Sequence, residues 1–97
     1  RSFAERIIRE GGKDSKSRIN WALNTALSRQ GNEKEMKILS ELQEKQLTRY
    51  TADANAAKNL NTVGIKVPPK DIPPAELASW TTVARTILNL HETITRH

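Results

Sequence analysis

The chain has 97 residues, 36% of them hydrophobic and 28% charged, enough for one small domain of modest core and not two. Cysteine is absent, which excludes disulfides, thiolate metal sites, covalent c-type haem attachment and cysteine nucleophiles within these residues. Sixteen Lys and Arg against eleven Asp and Glu give a formal charge of +5, and no apolar run approaches the roughly 20 residues of a membrane span.

Helical periodicity predicts five segments. The first, about 2–10, gathers Phe3, Ile7 and Ile8 on one side, with Arg6, Arg9 and Glu10 outside. Gly11-Gly12 ends it in a turn. A chain that opens inside such a pattern is expected to be one helical domain, 1–97, excised from the C-terminal part of a larger protein. The second segment runs from Asp14 or Ser15 to Gln30, with Ile19, Ala22, Leu23, Ala26 and Leu27 as its stripe and Trp21 on the flank. Trp21 is thereby placed to face either the core or another domain.

Asn32 and Glu35 have the spacing of a reciprocal capping box, opening a third helix to about Tyr50. Met36, Leu39, Leu42 or Gln43, Gln46 and Tyr50 track one side of it, widened by Ile38 and Leu47. Asp53 caps a short fourth helix, 54–63, with Ala54, Ala57, Leu60 and Val63 inward and Gly64 as its stop. Two Pro-Pro pairs, at 68–69 and 73–74, make 65–73 an extended strap, which Ile65, Val67 and Ile72 should fasten to the surface. The fifth helix runs from Pro74 to about Arg96. One line on it is Leu77, Trp80, Ala84, Leu88 and His91; the next is Val83, Ile87, Leu90 and Ile94. So wide an apolar face belongs to a central helix. The expected fold is all-α: a small, irregular, orthogonal bundle of four to five helices, with a long C-terminal helix and the proline-rich strap.

Chemistry is sparse. His91 and His97 lie six apart, a poor same-face spacing, and no phosphate loop or nucleophile elbow is present. No catalytic, cofactor-binding or metal residue is assigned, and the domain by itself is not expected to be an enzyme. Two surfaces are candidates. Arg85, Asn89 and Glu92 share a face of the last helix, with His91 beside them; that face could complete an active site in the parent protein, or be merely solvated. Residues 1–50 hold eleven Lys/Arg against seven Asp/Glu, with cations at Arg6, Arg9, Lys13, Lys16, Arg18 and Arg29. Such a patch could bind an acidic polymer through counterion release. Glu5, Glu10 and Asp14 interrupt it and no aromatic interleaving accompanies it, so nucleic acid is not the expected partner.

The last helix carries a resemblance. Glu76-Leu77-Ala78-Ser79-Trp80-Thr81-Thr82-Val83-Ala84-Arg85-Thr86-Ile87-Leu88-Asn89-Leu90-His91-Glu92-Thr93-Ile94-Thr95-Arg96 resembles the C-terminal signature of a planctomycete family of secreted proteins of unknown function. That signature reads roughly E-L-A-A-W-T-A-V-A-R-x-L-L-N-L-D-E-F-I-T-R. Ala26-Leu27-Ser28-Arg29, followed by Asn32 and Glu35, is similar to the family's A-L-[SG]-R-x-P-T-x-x-E. Gly31 stands where proline is usual, His91 where aspartate is, and Thr93 where an aromatic is. If the aspartate has a shared polar role, this chain has changed it. The resemblance implies an exported parent, periplasmic or at the cell surface, whose upstream domains often include a cytochrome c-like region. Any haem would then be attached outside these residues, and no cofactor is expected within them. The leading expectation is a non-catalytic structural or interaction module whose partners are the other domains of its parent or another protein.

Overall fold

Three of the helix starts are capped by a side chain, those that follow Asp14, Asn32 and Asp53. The computed structural model describes residues 3–28, 31–64 and 70–95. Five helices occupy them: α1 Phe3–Glu10, α2 Ser15–Leu27, α3 Glu33–Ala52, α4 Ala54–Gly64 and α5 Pro74–Thr95, with no strand among the described residues. The fold is all-α.

Asp14 caps α2 by accepting from the Ser17 N–H at 3.3 Å. The capping box of α3 closes in both directions: Glu35 N–H donates to Asn32 Oδ1 at 2.8 Å, and Asn32 N–H to Glu35 Oε1 at 3.1 Å. Asp53 ends α3 and starts α4, accepting from the Ala56 N–H at 3.1 Å. At α5, Pro74 occupies the first turn, where its missing N–H costs nothing.

Hydrogen bonding from Ser17, its side chain more than its N–H, holds the Asp14 carboxyl below its ordinary pKa of 3.8. A folded pKa below the unfolded one adds stability above the unfolded value, and this is lost as pH falls through the folded value. Asp14→Asn keeps an accepting oxygen but cannot titrate. The melting-temperature advantage of the native chain over this variant is expected to shrink between about pH 6 and about pH 2, as followed by circular dichroism.

The 22 residues of α5 form a rod of about 33 Å, close to the 37 Å long dimension of the molecule. It packs against all four other helices. One side carries Leu77, Trp80, Val83, Ala84 and Ile87 into the main core with Ala4 and Ile7 of α1, Ile19, Ala22 and Leu23 of α2, and Leu39 of α3. The other side sets Ala78 against Tyr50 and Ala57, where small residues let α4 approach closely. The α5 hydroxyls turn inward on their own helix: Thr81 donates to the Leu77 carbonyl, Thr82 to Ala78 and Thr86 to Thr82, at 2.8–3.2 Å. That internal bonding lets three threonines sit half-buried on a core helix.

Several boundaries and faces differ from the sequence expectations. Helix α2 stops at Leu27, because Ser28 takes the left-handed conformation (φ 57°) and its N–H returns to the Asn24 carbonyl. Among the described side chains of α5 the buried run ends at Ile87: Leu88 is 44% exposed and Leu90 37%, while the side chains of His91 and Ile94 lie outside the described ones. Helices α1 and α2, about 12 and 20 Å long, are too short to cover the whole rod lengthwise. Ile38, expected to widen the α3 stripe, is 57% exposed, since one residue's rotation of about 100° takes it off the Leu39 line. Ala54 is exposed in the first turn of α4. Of the strap, Ile72 is buried in the main core, whereas Ile65 and Val67 lie outside the described residues.

Candidate functional site

The cations singled out in the sequence meet different fates. Arg9 makes a two-pronged ion pair with Asp71, both N···O distances 2.9 Å, while its Nε donates to Glu5 at 2.9 Å. These carboxylates push its already high pKa further up, and the pair ties α1 to the segment entering α5. Arg6 bonds Glu10 at 3.3 Å and stands 5.5 Å over the Trp21 ring. Arg18 has three attachments: Nε to the Gly12 carbonyl at 3.0 Å, Nη1 to Glu76 at 2.8 Å, and its guanidinium 5.7 Å over the Trp80 ring. Lys13 and Lys16 are exposed, and Arg29 lies outside the described residues. Three of the six cations thus join elements of the fold to one another.

Arg18 is the clamp of the corner, since it bridges the α1–α2 turn to the first turn of α5. Arg18→Ala should lower stability by about 2 kcal/mol, the scale of a charge-assisted bond plus a ring contact. Arg18→Lys should recover only part, because an ammonium cannot reproduce the planar fork. Urea unfolding of the three proteins checks both expectations.

A buried polar bridge escaped sequence reasoning. Ser15 Oγ donates to Gln43 Oε1 at 3.2 Å, and Gln43 Nε2 donates to Ser79 Oγ at 3.2 Å. Ser79 Oγ in turn donates to the Glu76 carbonyl at 2.7 Å. Gln43 and Ser79 are buried, so α2, α3 and α5 are pinned through one amide. The available signal was Gln43 itself, a polar residue at a register position that points toward the core. All its members are engaged with one another or with backbone, which makes the bridge a positioning device and not a reactive group.

The polar face of α5 is split. Arg85 and Asn89 are both exposed, one helical turn apart; for His91 and Glu92 the structure describes the backbone alone. Among the described residues no three His, Asp or Glu side chains come together as a metal site. None of the described helices is long and apolar enough to cross a membrane.

Two open grooves adjoin these side chains. One, of about 640 Å³, runs along α3 past Met36 and Ser40, and its rim mixes Lys16 and Lys37 with Glu33, Glu41 and Glu44. The other, of about 300 Å³, lies beside Trp21 on α2. Comparison with protein-family models, with characterised proteins and with solved structures finds no match.

Proposed function

We propose that this chain is a non-catalytic helical interaction module of a larger exported protein, docking onto the other domains of its parent. The observation that carries the reading is the distal part of α5, where Leu88 and Leu90 stand exposed beyond Ile87, the last buried residue among the described side chains of that helix. Leu88 and Leu90 leave α5 on different sides, two residues apart, and a partner that wraps this end of the scaffold helix would take both from water. The engagement of Arg6, Arg9 and Arg18 within the fold supports it too, by reducing the cations available to an acidic polymer. Planctomycete origin, export and any haem-bearing upstream region belong to the same proposal and rest on the resemblance.

The test supplies the remainder of the parent in trans to the purified domain and reads affinity by calorimetry. Leu88→Lys with Leu90→Lys is expected to abolish binding while leaving the melting temperature nearly unchanged, as surface substitutions do. A folded native domain with no affinity for the rest of its parent overturns the reading. A second reading, in which Arg85 and Asn89 contribute to an active site of the parent, is favoured by their shared exposure on α5. Unchanged parent turnover after Arg85→Ala with Asn89→Ala removes it.

A further inference from the structure

The groove beside Trp21 has a chemistry unlike the rest of the surface. It is lined by Gly11, Ser17, Asn20, Trp21 and Asn24. Their spacing along α2 puts Ser17, Asn20, Trp21 and Asn24 on one helix face. None of the five carries a charge, in a chain where 28% of residues do. The indole is half-buried and held from α1, with the Phe3 ring 6.3 Å away at 36° and the Arg6 guanidinium 5.5 Å from its centroid. Arg6 covers one face of the ring, and the remaining indole surface is fixed and already oriented before any ligand arrives.

The amides of Asn20 and Asn24 have no hydrogen-bond partner among the described residues, although Asn20 is half-buried. Each offers two N–H donors and an accepting oxygen, one helical turn apart. Gly11 contributes main chain to the lining, and its missing Cβ is what lets the two helices close beneath it: a Cβ there would meet the Ile7 carbonyl oxygen at 2.5 Å and the Arg18 Cα at 2.9 Å. Arg18, the nearest strong cation on α2, is turned away to Gly12, Glu76 and Trp80.

We propose that this groove is a subsite for a neutral carbohydrate. A sugar presents on one side weakly positive C–H groups, which suit the negative face of an indole. Around its edge it presents hydroxyls that both donate and accept, which suit paired amides. The groove lining itself holds no cation, and the Arg6 guanidinium beside the indole is already paired with Glu10 at 3.3 Å, so a phosphate or sulfate is poorly matched. About 300 Å³ is the low end of ligand-site volumes, fitting one or two sugar rings. So small and open a site binds with dissociation constants on the order of millimolar. The inference is independent of docking through α5, which lies elsewhere on the chain.

The experiment titrates the isotope-labelled 97-residue chain with cellobiose, xylobiose and maltose, each to about 20 mM, and follows nitrogen–proton correlation spectra. At least one disaccharide is expected to shift the Trp21 indole N–H and the Asn20 and Asn24 side-chain amides along one saturable curve. The Trp80 indole N–H, in the core, should stay still. Asn20→Ala with Asn24→Ala should weaken the response at least about tenfold while preserving the melting temperature, and Trp21→Ala should remove it. Shifts that fail to saturate with all three sugars overturn the proposal. So does a saturating response that survives the double asparagine replacement, or one seen only with an oligothymidylate, which would make the indole a base-stacking platform instead.

Discussion

Trp80→Ala is expected to leave the isolated chain unfolded or molten near body temperature. Trp80 is 1% exposed and is the largest of the fully buried side chains, on the one helix that touches all the others. Truncating a buried aromatic costs about 3–5 kcal/mol, against a total stability of about 5–10 kcal/mol for a domain of this size. The loss also strips Arg18 of the ring beneath its guanidinium, loosening the clamp on Gly12 and Glu76. Near-ultraviolet circular dichroism should lose its aromatic signal, and the urea transition should broaden or disappear.

Trp80→Phe separates area from polarity at the same position. The Trp80 Nε1–H is buried without a hydrogen-bond partner, and an unmet donor costs about 1–3 kcal/mol. Phenylalanine removes that donor and keeps most of the apolar surface, so its penalty should be well under half that of alanine. Tyr50→Ala should also be milder, because Tyr50 sits in the smaller cluster with Ala57 and Ala78. A Trp80→Ala protein melting at the native temperature would place this face of α5 in solvent and make it a docking surface.

What the sequence made legible was local. The Asn32–Glu35 box, the Asp53 cap and the α5 stripe through Trp80 and Ile87 are set by neighbours three or four residues apart. Contacts between distant residues were hidden. The Arg9–Asp71 pair spans 62 positions and the Gln43–Ser79 bond 36, and nothing in composition selects either pairing. Charge counting has the same blind spot: it registers Arg6, Arg9 and Arg18 as cations with acidic residues nearby in sequence, whereas geometry shows which acidic or aromatic partner each one takes. Periodicity likewise continues through Leu88 and Leu90, because it reports which side of a helix is apolar and not where the opposing helices end. Of the candidate surfaces, the exposure of Arg85 and Asn89 was legible from the helical period; the uncharged groove beside Trp21 needed the α1–α2 corner to form it.

That corner gives the second large effect. Gly11→Ala is expected to cost about 3 kcal/mol, the upper end for forcing an atom into a packed site. Gly11 is buried, and its N–H closes the last turn of α1 on the Ile7 carbonyl at 2.9 Å. The 2.5 Å and 2.9 Å approaches of an added Cβ are both to main-chain atoms, Ile7 O and Arg18 Cα, so no flexible side chain can swing aside. Relief requires the last turn of α1 to open at the Ile7 carbonyl and α1 to move off α2 at Arg18, which pulls the Arg18 side chain from the Gly12 carbonyl and from Glu76. Gly12→Ala probes the same turn differently. Its φ of +106° strains any side chain, but Gly12 is exposed and its closest neighbour is the Ser17 side chain, so about 1–2 kcal/mol is expected. Urea midpoints with unchanged slopes would report these costs as stability alone. If α1 is displaced as argued, Gly11→Ala will already have weakened what Arg18→Ala removes, and the double variant will lose less than the two single losses added together. Full additivity would mean that the corner absorbs the extra methyl without moving Arg18.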